Sequence, residues 1–156
     1  MRIAVIGRGS VGGALAPRLV AVGHDVVVGA RDPDPEAGPL QRPVAEAVED
    51  AELVVLAVPY EAVETVAETT GPLAGKVVVD CTNPIGPELV HAPGPDHASG
   101  GDRVQALYPD ASVVKAFATV GAEAMADPFY GDRRAFMPIC GDDPAARATV
   151  RGVVED

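Results

Sequence analysis

The stretch Ile3-Ala4-Val5-Ile6-Gly7-Arg8-Gly9-Ser10-Val11-Gly12 decides the fold. A short apolar strand, residues 3–6, runs straight into glycines at positions 7, 9 and 12. Val11, Leu15, Leu19 and Val22 then recur at helical spacing, and Gly23 stops the run. A helix over 11–22 is therefore predicted, with a bend at Pro17. Each glycine has a physical reason. Gly7 permits the tight turn out of the strand. Gly9 lacks a Cβ, so the backbone can approach a pyrophosphate. Gly12 lets the helix pack closely on the strand. The helix start presents free N–H groups and a partial positive charge to phosphates. Ser10 and Val11 supply further N–H donors, and the Ser10 hydroxyl either contacts a phosphate or caps the helix. Arg8 is either a second anion contact or an exposed side chain.

Working outward, the next strand, residues 25–29, ends in Gly29-Ala30-Arg31-Asp32. Sites for NAD place Asp or Glu at this strand end to bind the ribose 2′-hydroxyl, whereas an arginine accommodates a 2′-phosphate. Arg31 can make paired, charge-assisted bonds to that phosphate and stack on adenine. Asp32 stands one residue late for the NAD role and is expected to point away or cap the turn. The cofactor implied is NADP(H).

The rest of the chain alternates in the same way. A Pro-rich loop, 32–43, leads to a helix over 44–50. Leu53-Val54-Val55-Leu56-Ala57-Val58 reads as a strand apolar on both faces, as a central parallel strand must be. Helix 60–70, strand 76–80, a Gly-, Pro- and His-rich loop 86–101, helix 103–107, strands 112–117 and 136–140, and a helix over about 144–155 opened by Pro144 complete the order. Alternating strands and helices predict an α/β fold: a doubly wound parallel sheet of the three-layer Rossmann type, in one domain over 1–156.

In such a sheet ligands bind at the carboxyl ends of the strands. Three further strand ends qualify. Val58-Pro59-Tyr60 is expected to wall the cofactor, with Tyr60 near the ribose or nicotinamide. In Asp80-Cys81-Thr82-Asn83-Pro84-Ile85, Thr82 and Asn83 can orient the nicotinamide amide or a substrate carbonyl; an Asx-Pro turn alone would also explain Asn83-Pro84. Lys115 stands in the otherwise apolar Val114-Lys115-Ala116-Phe117-Ala118-Thr119-Val120, where burial without a partner is costly. It must reach the sheet end, pair with an acidic residue or act catalytically. His91 and His97 read as surface histidines or proton carriers.

Composition bounds the partners. The 156 residues carry a net charge of −11, which argues against nucleic acid or an anionic membrane. No apolar run approaches the roughly 18–20 residues of a membrane span, and the first apolar run is not a signal peptide. A soluble cytoplasmic protein with small-molecule partners is expected. Cys81 and Cys140 sit in apolar contexts and read as buried reduced thiols. No residues show metal-ligand spacing.

Taken in order, these segments resemble the NADPH-dependent deazaflavin (coenzyme F-420) reductase family. The resemblance rests on Ile3–Gly12, Gly29–Pro33, Leu53–Pro59, Asp80–Ile85, Val114–Val120 and Gly141–Asp143. It implies hydride transfer between NADP(H) and a deazaflavin or flavin-like acceptor with the two rings stacked, a reaction in which the protein mainly positions donor and acceptor. It implies pyrophosphate binding by Gly7, Gly9, Ser10, Val11 and Gly12, and 2′-phosphate binding by Arg31. Val58 and Pro59 would line the ribose and nicotinamide side, with Asn83 and Pro84 beside it. The chain departs from the family at Ala118, where an asparagine is common. Relatives are also expected to continue into a C-terminal extension that helps build the acceptor pocket and a homodimer. Two alternatives accompany the oxidoreductase reading: a non-catalytic or partner-dependent NADP(H)-binding module, and a reductase of a small imine or ketone using Tyr60 or Lys115 as proton donor.

Overall fold

Apolar residues on both faces of a strand demand a cover on both faces of the sheet. The computed structural model, which describes residues 1–36, 38–85 and 99–156, meets that demand. In chain order the elements are β1 (Arg2–Ile6), α1 (Ser10–Ala21), β2 (Asp25–Ala30), β3 (Gln41–Pro43), α2 (Val44–Val48) and β4 (Leu53–Leu56). After a 3-10 turn at Tyr60–Ala62 come α3 (Val63–Thr70), β5 (Val77–Asp80), α4 (Gly100–Leu107) and β6 (Ser112–Lys115). The chain continues through α5 (Ala122–Ala126), β7 (Phe129–Tyr130), β8 (Arg133–Arg134) and α6 (Pro144–Glu155).

One six-stranded sheet runs in the order β3-β2-β1-β4-β5-β6, every neighbouring pair parallel. The order reverses between β1 and β4, the switch point where a doubly wound sheet opens a crevice. Side chains alternate between two cores. Ile3, Val5, Leu53 and Val55 face one layer, packing with Leu15 and Leu19 of α1, Met125 of α5 and Val150 and Val153 of α6. Ala4, Ile6, Val54 and Leu56 face the other, with Val44 and Val48 of α2, Val63 of α3 and Val104 of α4. Leu53 through Leu56 are at most 1% exposed. Each such side chain contributes about 1.5–3 kcal/mol relative to exposure.

Local chemistry sets the helix boundaries. The Asp143 carboxylate accepts N–H bonds from Ala145 at 2.7 Å and Ala146 at 3.1 Å, with Pro144 in the first turn of α6. The Ser99 hydroxyl accepts from Asp102 N–H at 3.1 Å, so α4 starts three residues before the expected Arg103. α1 runs unbroken through Pro17.

Three further expectations need correcting. Part of the 32–43 loop is β3, an edge strand too short and proline-rich to show a period. Residues 136–140 form no strand; they touch the sheet through a single antiparallel bridge from Cys140 to Lys115. Cys140 is therefore exposed outside β6, while Cys81 is buried as expected. Burial also pushes the Cys81 thiol far above the usual range. The β7–β8 hairpin and α5 fill a stretch the sequence left unassigned, and the hairpin region exposes Phe129, Tyr130 and Phe136. The loop expected over 86–101, with His91 and His97, lies mostly outside the described residues.

Candidate dinucleotide site

The turn after β1 is shaped by two glycines that the protein itself requires. Gly7 has φ +106°, a left-handed backbone that suits only glycine, and a Cβ there would meet the Ala57 carbonyl oxygen at 2.3 Å. A Cβ on Gly12 would lie 2.0 Å from the Gly7 carbonyl oxygen and 3.4 Å from the Val5 side chain. Gly9 differs: an added Cβ meets nothing within 4 Å. No protein atom forbids a side chain at Gly9, and the empty space is where a pyrophosphate would approach.

α1 begins beside that space. Its N-cap is Gly9, no side chain caps it, and no acidic residue lies in its first turn. The first-turn N–H groups are left for an anion. The Ser10 hydroxyl does not cap the helix.

A cleft of about 950 Å³ opens here. It is lined by Gly7, Arg8 and Gly9 of the turn, Gly29 to Asp32 after β2, Pro43 to Ala45, Ala57 to Pro59 after β4, and Ala62, Thr65, Val66 and Thr69 along α3. Six of the expected residues thus share one wall-to-wall cleft: Gly7, Arg8, Gly9, Arg31, Val58 and Pro59. Val11 packs on the α1 core and Gly12 is buried beneath the turn.

Arg31 stands exposed on the rim and forms no ion pair with another described residue, so its guanidinium is available. Asp32, expected to point away or cap the turn, lines the cleft beside Arg31, where the chain bends. The α3 face was missed. Thr65 and Thr69 stand one turn apart, a spacing that marks one helix face, but the Thr69 hydroxyl donates to the Thr65 carbonyl at 2.8 Å and nothing in the sequence tied that face to a ligand.

Tyr60 does not line this cleft. It is 6% exposed, belongs to the core beneath α3 and α4, and lies under the Arg103 guanidinium at 4.9 Å. Arg103 in turn pairs with Glu64 at 2.6 Å. Asn83 and Pro84 lie farther along the sheet edge, outside the cleft. Asn83 donates from Nδ2 to the Ala118 carbonyl at 3.0 Å, and Pro84 is buried against Gly100. Lys115 pairs with an acidic residue, one of its expected options: Nζ lies 2.8 Å from Asp80 Oδ2. Among the described residues no group of His, Cys, Asp or Glu is arranged to hold a metal ion, and no helix is long and apolar enough to cross a membrane.

A parallel sheet of order 3-2-1-4-5-6 with a glycine turn, an uncapped helix start and an open cleft at the switch point defines a Rossmann dinucleotide-binding domain. The family model described as "NADP oxidoreductase coenzyme F420-dependent" matches residues 2–84. A solved candidate F420-dependent NADP-reductase from Arthrobacter sp. FB24 superposes with a TM-score of 0.86 at 31% identity, covering 98% of this chain and 79% of that one. The chain belongs to this family of coenzyme F420-dependent NADP oxidoreductases. It is 36% identical to the rat metalloreductase STEAP3 over 96% of its own length and 30% of that protein. It is 34% identical to the F420-dependent NADP reductase of Methanothermobacter marburgensis over 54% of its own length and 46% of the reductase. The chain thus spans less than half the length of either relative.

Proposed function

We propose that this chain binds NADP(H) across the carboxyl edge of its sheet and serves hydride transfer to a deazaflavin or flavin-like acceptor. The observation that carries the binding half is the space at Gly9, a position kept free of a side chain although no protein atom excludes one. Gly7 and Gly12 hold the turn, the uncapped start of α1 offers N–H donors to the pyrophosphate, and Arg31 offers a charged fork to the 2′-phosphate. Val58 and Pro59 form the wall opposite. NADPH bound there supplies the hydride. The protein's part is to hold and orient it and to keep the reacting face open to an acceptor.

Hydride exchange between two ring systems needs no side-chain acid, and among the described residues the two expected proton donors are both engaged elsewhere. Tyr60 is packed under Arg103, and the Lys115 ammonium is tied to Asp80. Reduction of a small imine or ketone, which calls for a proton donor, has less support for that reason. The binding-module reading draws support from Ala118, which offers no side-chain polar group where the family resemblance leads one to expect an asparagine amide. Following NADPH absorbance with oxidised deazaflavin, and separately with a flavin, divides the two. Turnover is expected. Tight NADPH binding with no turnover on either acceptor removes the oxidoreductase reading and leaves the module.

A further inference from the structure

The carboxyl ends of β5 and β6 are joined by side chains in a way that the sheet itself does not require. Leu56, Asp80 and Lys115 are register partners across β4, β5 and β6. Leu56 fills its place in this row by apolar packing and is fully buried. Its two neighbours are an ion pair, with Asp80 0% exposed. Replacing such a pair by apolar residues is often neutral for stability, so stability alone does not explain it.

The pair's bonds point to another role. Asp80 Oδ2 accepts from Lys115 Nζ at 2.8 Å. Asp80 Oδ1 accepts from the Thr82 N–H at 2.8 Å and the Thr82 hydroxyl at 2.7 Å. Lys115 Nζ also donates to the Thr82 carbonyl. The turn that presents Asn83 is thereby clamped from both sides. From the β6 side, Phe117 adopts φ +60°, unusual for a bulky residue, and its N–H points to Met137 Sδ at 3.1 Å. That twist delivers the Ala118 carbonyl to the Asn83 amide at 3.0 Å. None of these residues lines the cleft beside Arg31.

A dinucleotide crosses the crevice with one nucleotide half on each half of the sheet. Arg31 fixes the adenosine half over β1 and β2, so the nicotinamide half lies over the ends of β4, β5 and β6. We propose that Lys115 is a positioning residue for the nicotinamide half: through Asp80 and Thr82 it holds the Thr82-Asn83 turn at the height where that half is received. This rests on the NADP(H) reading above.

The test compares two ligands on the full chain. 2′,5′-ADP carries only the adenosine half; NADPH carries both, and its fluorescence reports the nicotinamide surroundings. Because Lys115→Met alone leaves a buried carboxylate unpaired, the double variant Asp80→Asn/Lys115→Met is measured beside it. It keeps the acceptor for Thr82 and removes both charges. In the double variant 2′,5′-ADP affinity should stay within about twofold of wild type, while the preference for NADPH over 2′,5′-ADP falls about tenfold or more, with an altered bound-NADPH emission. A folded double variant that keeps the wild-type preference overturns the positioning role and leaves the NADP(H) reading intact. A wild-type chain that binds neither ligand overturns that reading, and the positioning role with it.

Discussion

Gly12 approaches Gly7 so closely that a Cβ on the first would sit 2.0 Å from the carbonyl oxygen of the second. The obstructing atom is backbone and cannot rotate away. Gly12→Ala is therefore expected to lower stability by about 1–3 kcal/mol, the range of an overpacked core position. Thermal or denaturant unfolding checks it; an unchanged midpoint would show that the turn can shift.

Gly9→Ala should behave in the opposite way. The added methyl meets open space, so the unfolding midpoint should barely move. Affinity for NADPH should nonetheless fall about tenfold or more, because the methyl occupies the approach to the pyrophosphate. Equal ligand affinity for variant and wild type would contradict the assignment of this turn.

Arg31→Ala should weaken NADPH by about 10–100-fold, the worth of a charge-assisted bond to a phosphate, and change NADH by much less. Parallel titrations of the two cofactors decide it. Equal losses would place Arg31 outside 2′-phosphate recognition.

Asp32 on the same rim carries a like charge to that phosphate. Asp32→Asn is expected to tighten NADPH by about threefold at low salt, with the gain shrinking as ionic strength rises toward 0.15 M. A loss of NADPH affinity would mean that Asp32 instead supports the bend holding Arg31.

The Asp143 carboxyl is held below its usual value, first because it accepts the Ala146 N–H and then because it accepts the Ser112 hydroxyl and the Ala145 N–H. A depressed folded-state value means stability that is present above the unfolded aspartate value. It is lost as pH falls through the folded one. Asp143→Asn keeps an N-cap oxygen and removes the charge. Its unfolding midpoint should decline less steeply than that of wild type on acidification below the ordinary aspartate range. Identical slopes would show that the cap does not carry this part of the acid sensitivity.

The parallel sheet was readable because Ile3–Ile6 and Leu53–Leu56 are apolar on both faces and strands alternate with helices along the chain. That Gly7, Arg8, Gly9 and Arg31 share one cleft was readable for the same reason: they lie within a turn of strand ends, which a parallel sheet gathers at one edge. What lay beyond depends on distant packing. Tyr60 follows Pro59 directly, yet the 3-10 turn rotates its ring into the core under Arg103. Thr65 and Thr69 reach the cleft only because α3 lies along it. Cys140 and residues 136–139 carry a strand-like composition, but β6 accepts only one bridge from them. The Asp80–Lys115 pairing depends on which strand lies beside which, and composition does not carry that order.

The turn after β1 has one further consequence. Its shape is set by Ala57, Val5 and its own backbone, so it exists before any ligand arrives. A loop that is already ordered loses little conformational entropy on association. Cofactor capture at this end should therefore proceed as rigid docking onto a preformed anion seat, at a rate governed by encounter with an acidic molecule and steered only locally, by Arg8 and Arg31.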